Sequence, residues 1–241
     1  MKQIEFLVNN RILKGTLFSS HNIKAKNPAI LFIHGWTSER ARSYQYANAL
    51  TKLGYISFLF DMRGHGESEG DINSYTPKEF FADVLAAYDY LAKVENVDKE
   101  NISVVGSSFG SYLAALLTTK RNVKRLALRV PADYPNENFN KSKIQSSGSS
   151  NPKLVLWRKQ IKKSPETFAL EAIASFDGEI LIIESGKDNS VPHQTIQNYI
   201  NAINDKNKLT HIVMKNAPHS IKEGPFRDEV EKILVDWFKK G

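Results

Sequence analysis

The chain of 241 residues contains no cysteine. That absence excludes disulfides, cysteine-ligated zinc, iron–sulfur clusters and a cysteine nucleophile, and leaves serine, threonine, lysine or a carboxylate for covalent chemistry. Long hydrophobic runs are missing as well. Stretches such as Pro28 to Ile33 end far short of the roughly 18 apolar residues that a membrane-spanning helix requires. The opening MKQIEFLVNN puts Glu5 inside its apolar stretch and two asparagines behind it, unlike a secretory signal, so a cytoplasmic location is expected. No H-E-x-x-H cluster and no phosphate-binding loop ending in Gly-Lys-Ser/Thr occurs. Gly64-His-Gly66-Glu-Ser-Glu-Gly70 has the wrong spacing for a dinucleotide fingerprint and leads into a polar loop. Neither a metal nor a cofactor is expected.

What is present fits one globular domain over 1–241. The chain is 41% hydrophobic and 24% charged, which argues against disorder, and its length suffices for one sizeable core. Residues 3–8 and 11–18 are β-rich runs separated by Asn9-Asn10, which predicts an antiparallel hairpin. Short apolar runs then recur at 29–33, 56–60, 102–106, 125–130, 179–183 and 210–214, with helical stretches between them. This alternation predicts an α/β fold, a mostly parallel eight-stranded sheet with helices on both faces. Thr76-Pro77-Lys78-Glu79 combines a capping box with proline at the first helical position. Helices are also expected over 40–53, 111–119, 194–203 and 227–240.

From 131 to 176 no sheet strand is evident. A loop rich in Asn, Ser and Gly precedes two short helical segments near 154–162 and 166–175, as in an inserted cap. The net charge of +7 maps to this segment: Lys141, Lys143, Lys153, Arg158, Lys159, Lys162 and Lys163 occur between 139 and 165 with no acidic residue. Because the rest is balanced, a nucleic-acid-binding face spread over the domain is not expected. Two readings of the basic segment remain. It is a solvated lysine face, or, with Leu154, Val155, Leu156, Trp157 and Ile161, a surface that attracts anionic amphiphilic substrates or makes weak peripheral contact with an acidic membrane. The oligomeric state is not readable.

Chemistry concentrates in Gly106-Ser107-Ser108-Phe109-Gly110, which follows a strand and opens a helix. At such a turn the central serine is forced into a strained conformation that exposes its hydroxyl, and the glycines relieve crowding on either side. Ser108 is therefore the candidate nucleophile. Serine needs a base oriented by a carboxylate. His21 lies in a polar N-terminal loop, and His34 and His65 precede the nucleophile in glycine turns. His193 begins a helix and His211 opens a strand. His219 lies just past the C-terminal end of the last strand, the edge where catalytic groups of open α/β sheets gather, and is preferred. Asp188 is the preferred acid, from the loop after strand 179–183, with Glu184 as its competitor and helix capping as its alternative role. Backbone N–H groups of Phe109, behind the serine, and of Trp36, after His34-Gly35, are the candidate oxyanion donors. The Trp36 ring either walls an acyl pocket or is a packed aromatic.

The order Ser108, Asp188, His219, with His34-Gly35 after an early strand and Asp61-Met-Arg-Gly-His-Gly-Glu-Ser68 after the next, resembles the serine-hydrolase branch of the α/β-hydrolase superfamily. It looks most like bacterial carboxylesterases of the feruloyl/cinnamoyl-esterase and monoglyceride-lipase type. The resemblance implies a carboxylesterase acting on a small-molecule ester through an acyl-enzyme, without a cofactor, and a structural turn at 61–68 with no catalytic role for His65. One departure stands in the acid loop, where the family's usual glycine three residues before the aspartate is Ser185, with Gly186 beside it. Thioesterase or lysophospholipase activity follows from the same machinery; a small-peptide hydrolase or a noncatalytic binding protein ranks below.

Overall fold

The computed structural model describes residues 1–20, 25–142 and 151–240. Its strands are β1 (Lys2–Val8), β2 (Arg11–Phe18), β3 (Asn27–Ile33), β4 (Ile56–Phe60), β5 (Val97–Ser107), β6 (Arg125–Arg129), β7 (Glu179–Lys187) and β8 (Leu209–Pro218). They form one eight-stranded sheet in the order β1-β2-β4-β3-β5-β6-β7-β8. β1–β2 and β2–β4 are antiparallel pairs; every other pair is parallel. The predicted hairpin closes at Asn9 and Asn10, both at positive φ (50° and 62°), as a two-residue turn that follows the strand twist requires. The expected α/β-hydrolase architecture is borne out.

Strand alternation sorts the core into two layers. On β3, Ile30 and Phe32 face one layer and Ala29, Leu31 and Ile33 the other; on β7, Leu181 and Ile183 oppose Ile180 and Ile182. The first layer is closed by α1 (Tyr44–Thr51) and α7 (Pro225–Phe238). The second is closed by α2 (Pro77–Leu91), α3 (Phe109–Leu117), α5 (Phe168–Ser175) and α6 (His193–Ala202). α2 begins with the predicted capping box, Thr76 and Glu79 each closing on the other's backbone N–H. The chain steps outward from β3 to β4 and then returns past β3 to β5, so the connections leaving β3 and β5 diverge. A crevice opens at such a switch point, beyond the strand C-termini.

Between β6 and β7, α4 (Pro152–Arg158) and α5 fall on the two expected helical segments, α4 ending four residues early. α5 buries Ala169, Leu170 and Ile173 in the same core as α3 and α6. Lys143 and most of the Ser/Gly-rich loop lie outside the described residues, as does His21. The basic segment is not one solvated face. Lys141, Lys153, Lys159 and Lys163 are exposed, but Arg158 and Lys162 are buried. Arg158 donates to the carbonyls of Asp133 (3.1 Å) and Ser190 (2.9 Å), and Lys162 places its ammonium 3.7 Å over the Trp157 ring while donating to the Trp157 carbonyl at 2.6 Å. Long cationic side chains with apolar stems can be buried in this way when carbonyls and ring faces satisfy the head group. Among the described residues, no helix is long and apolar enough to cross a membrane.

Candidate active site

The turn from β5 into α3 is built by its two glycines. A Cβ on Gly106 would lie 2.7 Å from the Gly110 carbonyl oxygen, and one on Gly110 would lie 2.2 Å from the Ile33 oxygen and 2.5 Å from that of His34. Only glycine lets these backbones approach so closely. Ser108, held between them, has φ 53° and ψ −113°, a strained conformation for a residue with a side chain. Its amide donates to the Arg129 carbonyl at 2.9 Å, and it caps α3 without using its side chain. The hydroxyl is thereby left for another partner.

That partner is His219. Ser108 Oγ stands 3.1 Å from His219 Nε2, and His219 Nδ1 stands 2.6 Å from Asp188 Oδ2. The other Asp188 oxygen accepts the amides of Ser190 and Val191, each at 2.8 Å, which fixes the carboxylate within its loop. Asp188 thus makes a local turn as well as meeting His219, but it does not cap α6, whose N-cap Pro192 carries no side-chain bond. A hydroxyl, an imidazole and a buried carboxylate in this line can pass a proton from oxygen to nitrogen while the ring is held in one tautomer.

Glu184 is drawn elsewhere. Its Oε1 meets His193 Nδ1 at 2.6 Å and its Oε2 meets His211 Nε2 at 2.9 Å, so the competing acid and two competing histidines form a cluster of their own. β7 and β8 run parallel with Ile182 opposite His211, which brings the Glu184 carboxylate across to the neighbouring strand rather than along its own. His34 is buried, accepts the Met62 amide on Nε2 (3.0 Å) and donates from Nδ1 to the Gly35 carbonyl (2.8 Å). Burial pushes its pKa down to about 4, the Gly35 bond opposing and the Arg40 charge adding to the effect. His34 is therefore a neutral scaffold group. The 61–68 turn is structural too: Asp61 accepts from the Arg40 guanidinium and the Glu67 amide, and Ser68 donates to the Asp61 carbonyl.

Gly35 lies against the serine, since a Cβ there would be 3.5 Å from Ser108 Cβ. The amide of Trp36 belongs to this closely apposed segment, and that of Phe109 opens α3 directly behind Ser108. The Trp36 ring is a packed aromatic, edge-on against Phe80 (5.5 Å) and Phe109 (5.9 Å) in the layer closed by α2 and α3, and Trp36 as a residue borders a cavity of about 510 Å³. Ser108 and His219 also line this cavity, which reaches between the sheet and α7 to Ala127, Ile183 and Leu234.

One lining residue escaped the sequence reading. Arg129, at the end of β6, donates from Nη1 to Ser107 Oγ (3.0 Å) and from Nη2 to the His219 carbonyl (2.5 Å). Burial pulls its pKa below the ordinary arginine value, with Tyr46 and Asp188 opposing. Its signal was present in RLALR: Arg129 shares the parity of Ala127 in a central strand, where both faces are normally apolar. Among the described residues no group of three His, Cys, Asp or Glu is arranged to hold a metal.

The chain is 28% identical over 226 residues to an uncharacterized protein of Mycobacterium tuberculosis, covering 92% of this chain and 75% of the relative. It is 25% identical over 221 residues to the mitochondrial palmitoyl-protein thioesterase ABHD10 of Bos taurus, covering 83% and 70%. The fold superimposes on Est1E of Butyrivibrio proteoclasticus, solved with ferulic acid bound, with a TM-score of 0.77 over 98% of both chains at 17% identity. Residues 24–167 match the family described as serine aminopeptidase, S33. The chain belongs to that family, within the α/β-hydrolase superfamily.

Proposed function

We propose that this protein is a serine-dependent acyl hydrolase that cleaves carboxylic esters of small molecules. The observation that carries the reading is the hydrogen-bonded line from Ser108 Oγ through His219 to Asp188, at 3.1 and 2.6 Å. In this reading His219 takes the hydroxyl proton as Ser108 attacks the ester carbonyl, and Asp188 holds the imidazole and stabilises its charged form. The amides of Phe109 and Trp36 receive the oxyanion, and removal of one such donor costs about 3 kcal/mol in other hydrolases. His219 then returns the proton to the leaving alcohol. Water, deprotonated by the same histidine, cleaves the acyl-enzyme.

Membership of a hydrolase family and similarity to a thioesterase support acyl transfer, and the cavity favours esters over peptides. An aminopeptidase must hold a protonated α-amine, which calls for carboxylates. The cavity lining instead offers Arg42, Arg129 and Lys222, and no aspartate or glutamate lines it among the described residues. A thioester substrate is the second reading, favoured by the similarity to palmitoyl-protein thioesterase over 83% of the chain.

Labelling with a fluorophosphonate probe tests the nucleophile. Wild type should be labelled and Ser108→Ala should not; equal labelling of the two would remove Ser108 from the mechanism. Turnover of 4-nitrophenyl esters against palmitoyl-CoA decides between oxygen and sulfur leaving groups.

A further inference from the structure

β6 carries two arginines on the face turned towards α7, and their surroundings differ. Arg125, at the start of the strand, pairs with Glu179 at 2.8 Å, stacks 3.9 Å over the Trp237 ring and donates to the Trp237 carbonyl at 2.9 Å. Arg40 and Arg63, also buried, pair with Asp61 and Asp83. Arg129 has no carboxylate partner among the described residues. Its two bonds go to neutral oxygens, those of Ser107 and the His219 backbone, and its buried Nε has no acceptor. Asp188 is close enough to act on it through space, but both Asp188 oxygens are engaged, one by His219 and the other by two amides.

A guanidinium has five N–H groups; the Nε–H of Arg129 is sealed from the cavity, and each Nη keeps one N–H beyond its bond to Ser107 or His219. A guanidinium partly withdrawn from water with no carboxylate bonded to it is incompletely compensated, a deficit that a bound anion offsets. The half-buried side chain lines the same cavity as Ser108 and His219, with the Tyr46 side chain beside it and Arg42 and Lys222 on the lining. About 510 Å³ is room for a small ligand. The two groups that Arg129 grips are the residue before Ser108 and His219 itself, so an anion held there lies next to the reacting ester.

We propose that this cavity selects esters bearing a free carboxylate, monoesters of short dicarboxylic acids being the simplest, with Arg129 as the anchor for the anion. The inference rests on Ser108 as nucleophile, but the anion site can be tested apart from hydrolysis.

The kinetic test compares kcat/KM for 4-nitrophenyl hemisuccinate and the neutral 4-nitrophenyl pentanoate. Wild type should favour the hemisuccinate by about tenfold or more, the value of one charge-assisted hydrogen bond. In Arg129→Gln the hemisuccinate rate should fall at least about tenfold further than the pentanoate rate, and Arg129→Lys, which keeps the charge without the fork, should lie between. A wild-type preference for the neutral ester, or an equal fall for both esters in Arg129→Gln, overturns the proposal; the equal fall would make Arg129 a positioning residue for the His219 loop. Calorimetric titration of Ser108→Ala with succinate, and with inorganic phosphate for comparison, provides the second arm. Succinate should bind, and binding should be lost in Ser108→Ala/Arg129→Gln. Binding that survives the second substitution, or that favours phosphate, overturns the carboxylate site. If neither ester is hydrolysed while succinate binding depends on Arg129, the hydrolase reading falls and the anion site stands.

Discussion

His219 Nδ1 and Asp188 Oδ2 lie 2.6 Å apart across 31 residues of sequence. A carboxylate only accepts, so this contact puts the ring hydrogen on Nδ1 and turns the Nε2 lone pair towards Ser108, 3.1 Å away. Asp188→Asn should lower kcat on an activated ester by roughly 10⁴, because the amide admits the wrong tautomer. Glu184→Gln removes an acceptor from His193 and His211 instead, and should cost about 1–3 kcal/mol of stability while kcat stays near that of wild type. Steady-state kinetics on both variants, with urea unfolding, checks the assignment; a larger kcat loss at Glu184 would reverse it.

Gly110 and Gly54 should respond differently to alanine. At Gly110 the new methyl meets two carbonyl oxygens of the β3 segment at 2.2 and 2.5 Å, and backbone cannot move aside. Gly110→Ala should lose at least about 3 kcal/mol or fail to accumulate as soluble protein. At Gly54, φ is +93° but nothing lies within 4 Å, so only conformational strain of roughly 1 kcal/mol is expected. Denaturant midpoints of the two variants give the comparison.

Two buried groups should shape stability in acid, with opposite signs. His34 has a pKa pushed down to about 4 by burial, against 6.5 in the unfolded chain. Between these values the unfolded state takes the proton, so this contribution is full above pH 6.5 and falls by roughly 3 kcal/mol as pH drops towards 4. Burial pushes Asp133 up to about 6 from 3.8. Its contribution is full below pH 3.8 and is lost as pH rises through 6. Urea unfolding at pH 4.5 and 7 should therefore show a shallower acid decline in His34→Gln and a steeper one in Asp133→Asn. An unaltered slope in His34→Gln would contradict the neutral, buried imidazole.

Lys162 and Lys159 are three residues apart but should behave unlike each other. Lys162→Gln gives up the contact over Trp157 and the bond to its carbonyl, and should lower stability by about 1 kcal/mol or more. Lys159 is exposed, and its change to Gln should stay within about 0.5 kcal/mol. Thermal unfolding of both variants tests the division of the basic segment into buried and solvated members.

Much of this was legible in the residues. Asn9-Asn10 dictated a hairpin because both positions need positive φ, and six apolar runs alternating with capped helices led to one parallel sheet. Gly106 to Gly110 marked the strand-to-helix turn because no other residue type tolerates its backbone contacts. Strand β5 begins at Val97, five residues before the expected run, because pairing of Val97 with Asn27 at the start of β3, ahead of a register shift, draws in polar residues that hydrophobicity cannot flag.

The local sequence by itself determined the turn that strains Ser108, the hairpin, and the strand and helix periods, since each depends on φ/ψ preference and burial within a few residues of chain. Tertiary structure alone decided which acid meets which histidine. Asp188 and Glu184 are four residues apart, Glu184 within β7 and Asp188 just past its end; parallel pairing of β7 with β8 sets Glu184 against His211, the start of α6 brings His193 to it, and Asp188 meets His219. It also decided the surroundings of Arg129. In sequence that residue is one of 33 basic side chains, and only where β6, Ser107 and the His219 loop close around it does it stand without a carboxylate bonded to it among the described residues. Charge balance is a property of three-dimensional neighbours, and no window along the chain contains them.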